Sequence, residues 1–387
     1  MFCKGLNVFS GESINLEFDR AISSLDPSLD AAPANTFLAP GFIDLQVNGF
    51  AGADYNSPTT PLETIAKSLA ALHSTGVTSL FPTVITGPPD QMLAALKNLA
   101  RAKSALGDAG ASIEAFHVEG PHISPDDGPR GAHPAQWVRP PSLDEFHRWQ
   151  DASDGQVRLV TLSPEWPGTI PYIDRLTREG VAVSIGHTNA TGQQIQDAAA
   201  AGATLSTHLG NGAHSILPRH PNYIWEQLAE DRLSASFIVD GHHLPASFLK
   251  VALRAKGLDR SILVTDAVAP ALCPPGDYRL GEVDIELRPD GRVTMRGAQR
   301  LAGSSLRMDH AIANVMRIAG VSLPEAITMA TRNPARIGRI GPRLRGLDPG
   351  ARADLVRFNL DGGRLQILET YVAGQRVFSA PDAPPRH

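Results

Sequence analysis

The sequence predicts an α/β protein: a (β/α)8 barrel, TIM-like, with a small β-domain formed by both chain termini. Three observations carry that expectation. Eight apolar, strand-like runs follow one another from residue 42 onward, helical patterns separate most of them, and polar residues gather at the C-terminal ends of the runs. The runs span 42–49, 78–86, 112–120, 157–165, 181–188, 204–211, 234–243 and 261–269. Between them, segments such as 61–76, 89–107 and 191–203 repeat apolar residues at helical spacing, which suits helices covering buried parallel strands. A doubly wound open sheet could also use eight strands. Polar residues at nearly every strand end favour the barrel, because a barrel builds its active site on that rim.

The flanks read differently. Residues 1–40 and 345–387 carry short strand-like pieces (INLEF, ADLVRF, ETYVAGQRVF) broken by Gly, Pro and Asp. They are expected to form one small β-domain beside a barrel of residues 41–344. After the eighth run, residues near 277–300 read as an inserted β-hairpin region with a turn at Pro289-Asp290-Gly291, a combination that favours tight reversal. LAGSSLRMDHAIANVMRIAG then returns to helical spacing and is expected to close the barrel.

Bulk properties narrow the function. At 387 residues, 42% hydrophobic and 19% charged, the chain can bury one large core. A net charge of −5 argues against broad binding to nucleic acid or anionic membranes, while leaving room for a local basic site for one anionic substrate. Cys3 and Cys273 are too few for a disulfide framework. The first residues lack a signal peptide's apolar core, and no run reaches transmembrane length. A soluble, cytoplasmic protein is expected.

Ten of the thirteen histidines lie between His117 and His243. Glu119, His187 and His208 fall at or just past the ends of the third, fifth and sixth runs, and Asp266 ends the eighth. Any one of these could be an isolated polar cap, since His is often simply hydrogen-bonded at a strand end. Collected on one barrel rim, two imidazoles and a carboxylate form a ligand set for a divalent metal with a position open to water. Many metallohydrolase barrels hold a second metal with His-X-His in the first strand; here the run reads Gln46-Val47-Asn48, and neutral amides are weak ligands by comparison. The fourth run ends Leu162-Ser163-Pro164-Glu165, without a bridging lysine. One divalent ion per chain is therefore expected, zinc first, with iron, manganese or cobalt also suited to this donor set. Asp266 can exchange a proton with water and a leaving group, or it caps the next helix. His243 ends the seventh run and can polarise a carbonyl, with Asp240 orienting that turn and His242 solvated.

Taken in chain order, APGFIDLQVNG, FHVEGPHIS, RGAHP, VSIGHTNAT, STHLGN, IVDGHH, LVTDAVAP, LAGSSLRM, ATRNPARIG and GLDPGARADLVRF resemble the motifs of the N-acetylglucosamine-6-phosphate deacetylases of the amidohydrolase superfamily. The likeness runs over roughly residues 39–358. It implies hydrolysis of the N-acetyl group of an amino-sugar 6-phosphate, giving acetate and the free amine. Glu119, His187 and His208 match the metal ligands, Asp266 the general acid/base, and His243 the carbonyl-polarising histidine. Gln46 and Asn48 match the single-metal form. His133 matches a substrate-loop histidine, Asn211 and Gly212 the stretch facing the sugar phosphate, and Arg219 a phosphate-binding arginine. The resemblance also implies a possible homodimer.

Departures concentrate in one segment. Gly210 stands where the family usually has an aromatic residue, Gly212 and Ala213 where Ala-Met is usual, and His214, His220, Tyr223 and Trp225 are additional in character. Tyr223 and Trp225 read either as sugar-stacking or as helix-start packing residues. This segment keeps open a different N-acyl amino sugar or a cyclic amide as substrate. It also leaves room for a non-catalytic sugar-phosphate-binding barrel, against which Asp266 and His243 argue.

Overall fold

The barrel begins where the chain first becomes continuously apolar. In the computed structural model, which describes residues 1–30 and 35–381, every residue of Phe42–Val47 is buried. The strands that follow are Val77–Ile85, Phe116–Glu119, Val157–Leu162, Ala182–Ile185, Ala203–Ser206, Ser234–Phe237 and Ser261–Leu263. All eight pair in parallel in sequence order. The first and eighth close through a parallel bridge between Val47 and Ala267 and through Asp266 N donating to Gln46 O at 2.9 Å. A (β/α)8 barrel results. Because the outer helices cover one face and the barrel core fills the other, the strands read as unbroken apolar runs rather than alternating ones.

The connecting helices start on recognisable signals. Ser142 accepts from Glu145 N ahead of Leu143–Ala152. Thr191 and Gln194 form a reciprocal capping box on Gly192–Ala200, and Asn222 caps Tyr223–Ala229. Each satisfies backbone donors that the first helical turn leaves open.

Both chain ends meet in one seven-stranded sheet, ordered Gln375–Ser379, Arg364–Val372, Leu355–Asp361, Thr36–Pro40, Phe2–Asn7, Ser13–Phe18 and Ile22–Pro27. Residues 31–34 and 382–387 of the expected β-domain lie outside the described residues. Thr36–Pro40 passes directly into the first barrel strand through Gly41, where a side chain would meet Thr78 Cγ2 at 2.2 Å. A separate antiparallel sheet of Gly276–Leu280, Val283–Leu287 and Val293–Met295 turns at Gly291, whose N–H donates to Arg288 O at 2.9 Å. Its apolar face packs Leu280, Val283, Ile285 and Val293 against Ile85 and Val268, so this sheet sits on the same rim as the strand ends. Among the described residues, no helix is long and apolar enough to cross a membrane.

Candidate active site

Site residues stand just where the strands stop. Glu119 is the last residue of its strand, whereas His187 and His208 lie two residues beyond theirs. The chain reaches His187 through Gly186, whose missing side chain leaves room for Thr161 and Thr207; a Cβ there would come within 2.8 Å of both. His187, His208 and Asp266 all take positive φ, at 49°, 29° and 50°. Non-glycine residues in that region cost about 1–3 kcal/mol each, and such strain concentrates at functional sites. Here it turns three side chains inward over the barrel axis.

Their polar atoms converge. His187 Nε2 and His208 Nε2 are 3.1 Å apart, and they lie 3.3 and 2.9 Å from Glu119 Oε1. Burial alone would raise the Glu119 carboxyl, but the His187 and His208 rings packed against it hold it well below the usual carboxylate range. His187 Nδ1 donates to Pro129 O at 2.8 Å, which leaves Nε2 as the inward lone pair. A carbonyl behind a ligating histidine is the usual way to fix its tautomer. Three ligand-capable atoms meeting in a buried space fit a divalent cation.

The two amides of the first strand serve the carboxylates. Gln46 Nε2 donates to Glu119 Oε1 at 2.9 Å, and Asn48 Nδ2 donates to Asp266 Oδ1 at 2.6 Å. Alternation along a strand explains it: positions two apart share a face. The sequence showed that spacing, but only the fold showed what the amides would meet. Asp266 is pushed up to about 7, first by burial and then by the Glu119 charge, against the lowering influence of His208, His243 and the Asn48 bond.

Above these groups opens a cavity of about 530 Å³. His133, His243, Asn211 and Gly212 all line it. A ring nitrogen of His133 lies within 4.8 Å of the ligand atoms of Glu119 and His187. Burial, followed by the neighbouring His187, pushes the His133 imidazole down to about 3, so the ring is neutral. Thr86 Oγ1 lies 2.8 Å from His133 Nδ1 and can donate there, leaving Nε2–H as the free donor. His243 is held by Asp240, whose Oδ2 is 2.6 Å from Nδ1 while its Oδ1 accepts from the backbone of residues 242 and 243.

One expected residue stands elsewhere. Arg219 is exposed and does not line the cavity of its own chain: the cavity wall ends at Ile216, and the following turn carries Arg219 into solvent. The arginine on this wall is Arg300, facing Asp127. No sequence pattern singled it out, since it sits after a hairpin and far from every strand-end motif. Tyr223 and Trp225 are also absent from the cavity wall. Tyr223 is buried and its hydroxyl accepts from His214 N at 2.8 Å, which is the packing alternative, and Trp225 is half-exposed. The lost aromatic at Gly210 has a counterpart in space: a Cβ there would lie 2.7 Å from the Phe248 ring, brought in by helix Ala246–Lys256.

A parallel barrel whose rim gathers two imidazoles and two carboxylates around one cavity defines a hydrolase of the metal-dependent type. The model of the Amidohydrolase family matches residues 37–377. The N-acetylglucosamine-6-phosphate deacetylase of Vibrio furnissii is 34% identical over 94% of this chain and 89% of its own length. The N-acetylgalactosamine-6-phosphate deacetylase of Escherichia coli O157:H7 is also 34% identical, over 87% of each chain. Among solved structures, a variant of N-acetyl-D-glucosamine-6-phosphate deacetylase from Mycobacterium smegmatis, in complex with N-acetyl-D-glucosamine-6-phosphate, superposes with a TM-score of 0.85 at 31% identity over 95% of both chains. The chain belongs to the amidohydrolase family and, within it, to the N-acetylglucosamine-6-phosphate deacetylases.

Proposed function

We propose that this enzyme hydrolyses the N-acetyl group of N-acetylglucosamine 6-phosphate, giving glucosamine 6-phosphate and acetate. One observation carries the reading. Glu119, His187 and His208 bring their ligand atoms together beneath a cavity of monosaccharide size, with Asp266 held beside them by Asn48. Glu119, His187 and His208 would hold one divalent ion, zinc first with iron, manganese or cobalt as alternatives, and when bound such an ion acidifies water and stabilises developing negative charge. Asp266 accepts the proton of the attacking water as the C–O bond forms. It then delivers a proton to the amide nitrogen as the C–N bond breaks. His133, as a neutral donor beside the ligand cluster, is placed for the acetyl oxygen. His243, held from behind by Asp240, presents its free nitrogen to the cavity and is the second candidate for that role. The barrel of residues 41–344 carries the chemistry, and the sheet formed by both termini packs beside it against helices Leu62–His73 and Met308–Ala319.

Asn211 and Gly212 form the wall facing the sugar. Arg219, exposed and outside its own chain's cavity wall, would serve a substrate phosphate in a second copy of the chain, which is the role the proposed homodimer gives it. The equal identity to a galactosamine-type relative, together with the altered 210–225 segment, favours a second reading in which the sugar is a different epimer. Acetate release from N-acetylglucosamine and N-acetylgalactosamine, each with and without 6-phosphate, separates the two. A clear preference for N-acetylglucosamine 6-phosphate is expected. Asp266→Asn should lower kcat on the order of 10²–10⁴-fold while leaving metal content intact; near-normal turnover in the metallated variant removes Asp266 from the mechanism. Arg219→Ala should weaken use of the phosphorylated sugar about 10- to 150-fold, as expected for a lost charge-assisted hydrogen bond. The unphosphorylated sugar should be nearly unaffected.

A further inference from the structure

The loop 121–134 does more than fill the space after the third strand. Pro129 O accepts the Nδ1 proton of His187, and Gly131 lies against the same ring, where a Cβ would be 3.1 Å from His187 Cε1. The loop also ends on His133, the neutral donor in the cavity. Whatever positions this loop therefore positions a candidate metal ligand and a candidate electrophile together.

Arg130 knits the loop internally, donating to His133 O at 2.9 Å and to Asp127 Oδ1 at 3.2 Å. The outer anchor comes from elsewhere. Arg300, directly after the three-stranded sheet, donates from Nη1 and Nη2 to the two oxygens of Asp127 at 2.8 and 3.1 Å, and from Nη1 to Gly131 O at 3.1 Å. Trp137 Nε1 makes a second tie to the same sheet, donating to Glu282 Oε2 at 2.8 Å. Both Asp127 and Arg300 line the cavity. Arg300 is the only Lys or Arg among its lining residues, so an unneutralised Asp127 would face an anionic substrate across this wall.

We propose that the Asp127–Arg300 pair is a latch joining the three-stranded sheet to the 126–133 loop, and that both are positioning residues for metal retention and anionic-substrate binding. The inference rests on the reading of His187 as a metal ligand. A forked guanidinium–carboxylate pair fixes geometry as well as charge, and groups that orient a ligating histidine commonly change metal affinity 10–100-fold when lost. Arg300 acts one step behind Pro129, so a smaller effect follows. Lysine would keep the charge but lose the fork.

Full-length chains carrying Arg300→Gln, Asp127→Asn or Arg300→Lys test the latch. Each is stripped of metal, titrated with zinc(II), and assayed for kcat and KM on N-acetylglucosamine 6-phosphate. Both Arg300→Gln and Asp127→Asn should weaken zinc binding about 3- to 10-fold and raise KM more than they lower kcat. Arg300→Gln should be the more severe for KM, because it removes the cavity wall's own arginine and leaves Asp127 to the single bond from Arg130. Hydrogen exchange should speed up in residues 126–133 with the barrel strands unchanged, and Arg300→Lys, which keeps the charge without the fork, should fall between Arg300→Gln and wild type in KM. Wild-type zinc affinity and KM in both Arg300→Gln and Asp127→Asn, or Arg300→Lys no better than Arg300→Gln in KM, overturns the proposal. His187→Ala is the control for the underlying reading. If it binds zinc as wild type does, the ligand assignment fails, and the latch is then judged on KM and on hydrogen exchange in the loop.

Discussion

Two buried polar clusters sit at opposite ends of the barrel, and they are completed in different ways. At the end where the strands begin, Arg343 reaches Thr78 Oγ1 at 3.0 Å, Ser79 Oγ at 2.7 Å and Asp354 Oδ2 at 2.7 Å, and it donates to the Gly41 carbonyl. Arg352 adds a bond to Asp354 and one to Glu114 Oε2 at 3.0 Å, while Asp354 Oδ1 accepts from Ala373 N at 2.7 Å. Donors and acceptors match there without outside help, and the cluster ties the terminal sheet to the first two barrel strands. At the other end, Glu119, His187, His208 and Asp266 press lone pairs and like charges together on strained backbone. A structural cluster pairs every charge because an unpaired buried one is costly. A cluster whose ligand atoms face one another is suited to completion by a cation from solution.

Breaking the two ends should therefore have opposite signatures. The largest effect is expected at the rim. His187→Ala or His208→Ala should lose bound metal and activity together, with stability of the metal-free protein unchanged or raised as crowding and strain are relieved. Elemental analysis and metal-free denaturation measure both. Retained stoichiometric metal in either variant contradicts the ligand set, and two ions needed for turnover contradict the single-metal expectation. At the base, Arg343→Ala takes one of Asp354's two arginines and the shared donor to Thr78, Ser79 and the Gly41 carbonyl, and should cost about 3–5 kcal/mol of stability. Activity per folded molecule should be little changed at low temperature. A loss of turnover that outruns the loss of folded protein would show that the two ends are coupled.

A smaller effect sharpens the same contrast through pH. Asp44 lies inside the barrel, where it accepts from Thr265 Oγ1 at 2.5 Å and from Thr265 N at 3.2 Å, joining the first strand to the segment leaving the eighth. Burial pushes its carboxyl up to about 7 despite those bonds. Between about pH 4 and 7 the folded chain then holds a proton that the unfolded chain has released, so this group's contribution to stability falls as pH rises through that window and levels off above it. Asp44 should account for about 2–3 kcal/mol of the difference between pH 5 and pH 8, and Asp44→Asn should remove it. Denaturant titrations at the two pH values decide the matter; an unchanged difference in the variant rules Asp44 out as its source.

Much of this was legible before any coordinates. The eight apolar runs correspond to the eight barrel strands, because a strand buried on both faces must be apolar along its length. The ligand candidates were legible for a related reason: a His or Glu that closes such a run has little packing cause to be there. Arg219 shows where that reasoning thins out. A loop residue carries no periodic constraint, so its sequence position said what it resembled but not where it would point. Arg300 was invisible for the same reason, since its role depends on Asp127, which is 173 positions away in the chain.

The sequence by itself determined the barrel, the candidate ligating side chains, and the absence of imidazoles at Gln46 and Asn48, all of which follow from local pattern and donor chemistry. Only the tertiary structure decided which groups meet. It paired Gln46 with Glu119 and Asn48 with Asp266, put the Pro129 carbonyl behind His187, supplied Phe248 opposite Gly210, and carried Arg219 away from the cavity while bringing Arg300 to its wall. The physical reason is that periodicity fixes which face of an element a residue occupies. The meeting of two elements is set by barrel closure and loop packing, and these depend on the whole chain at once.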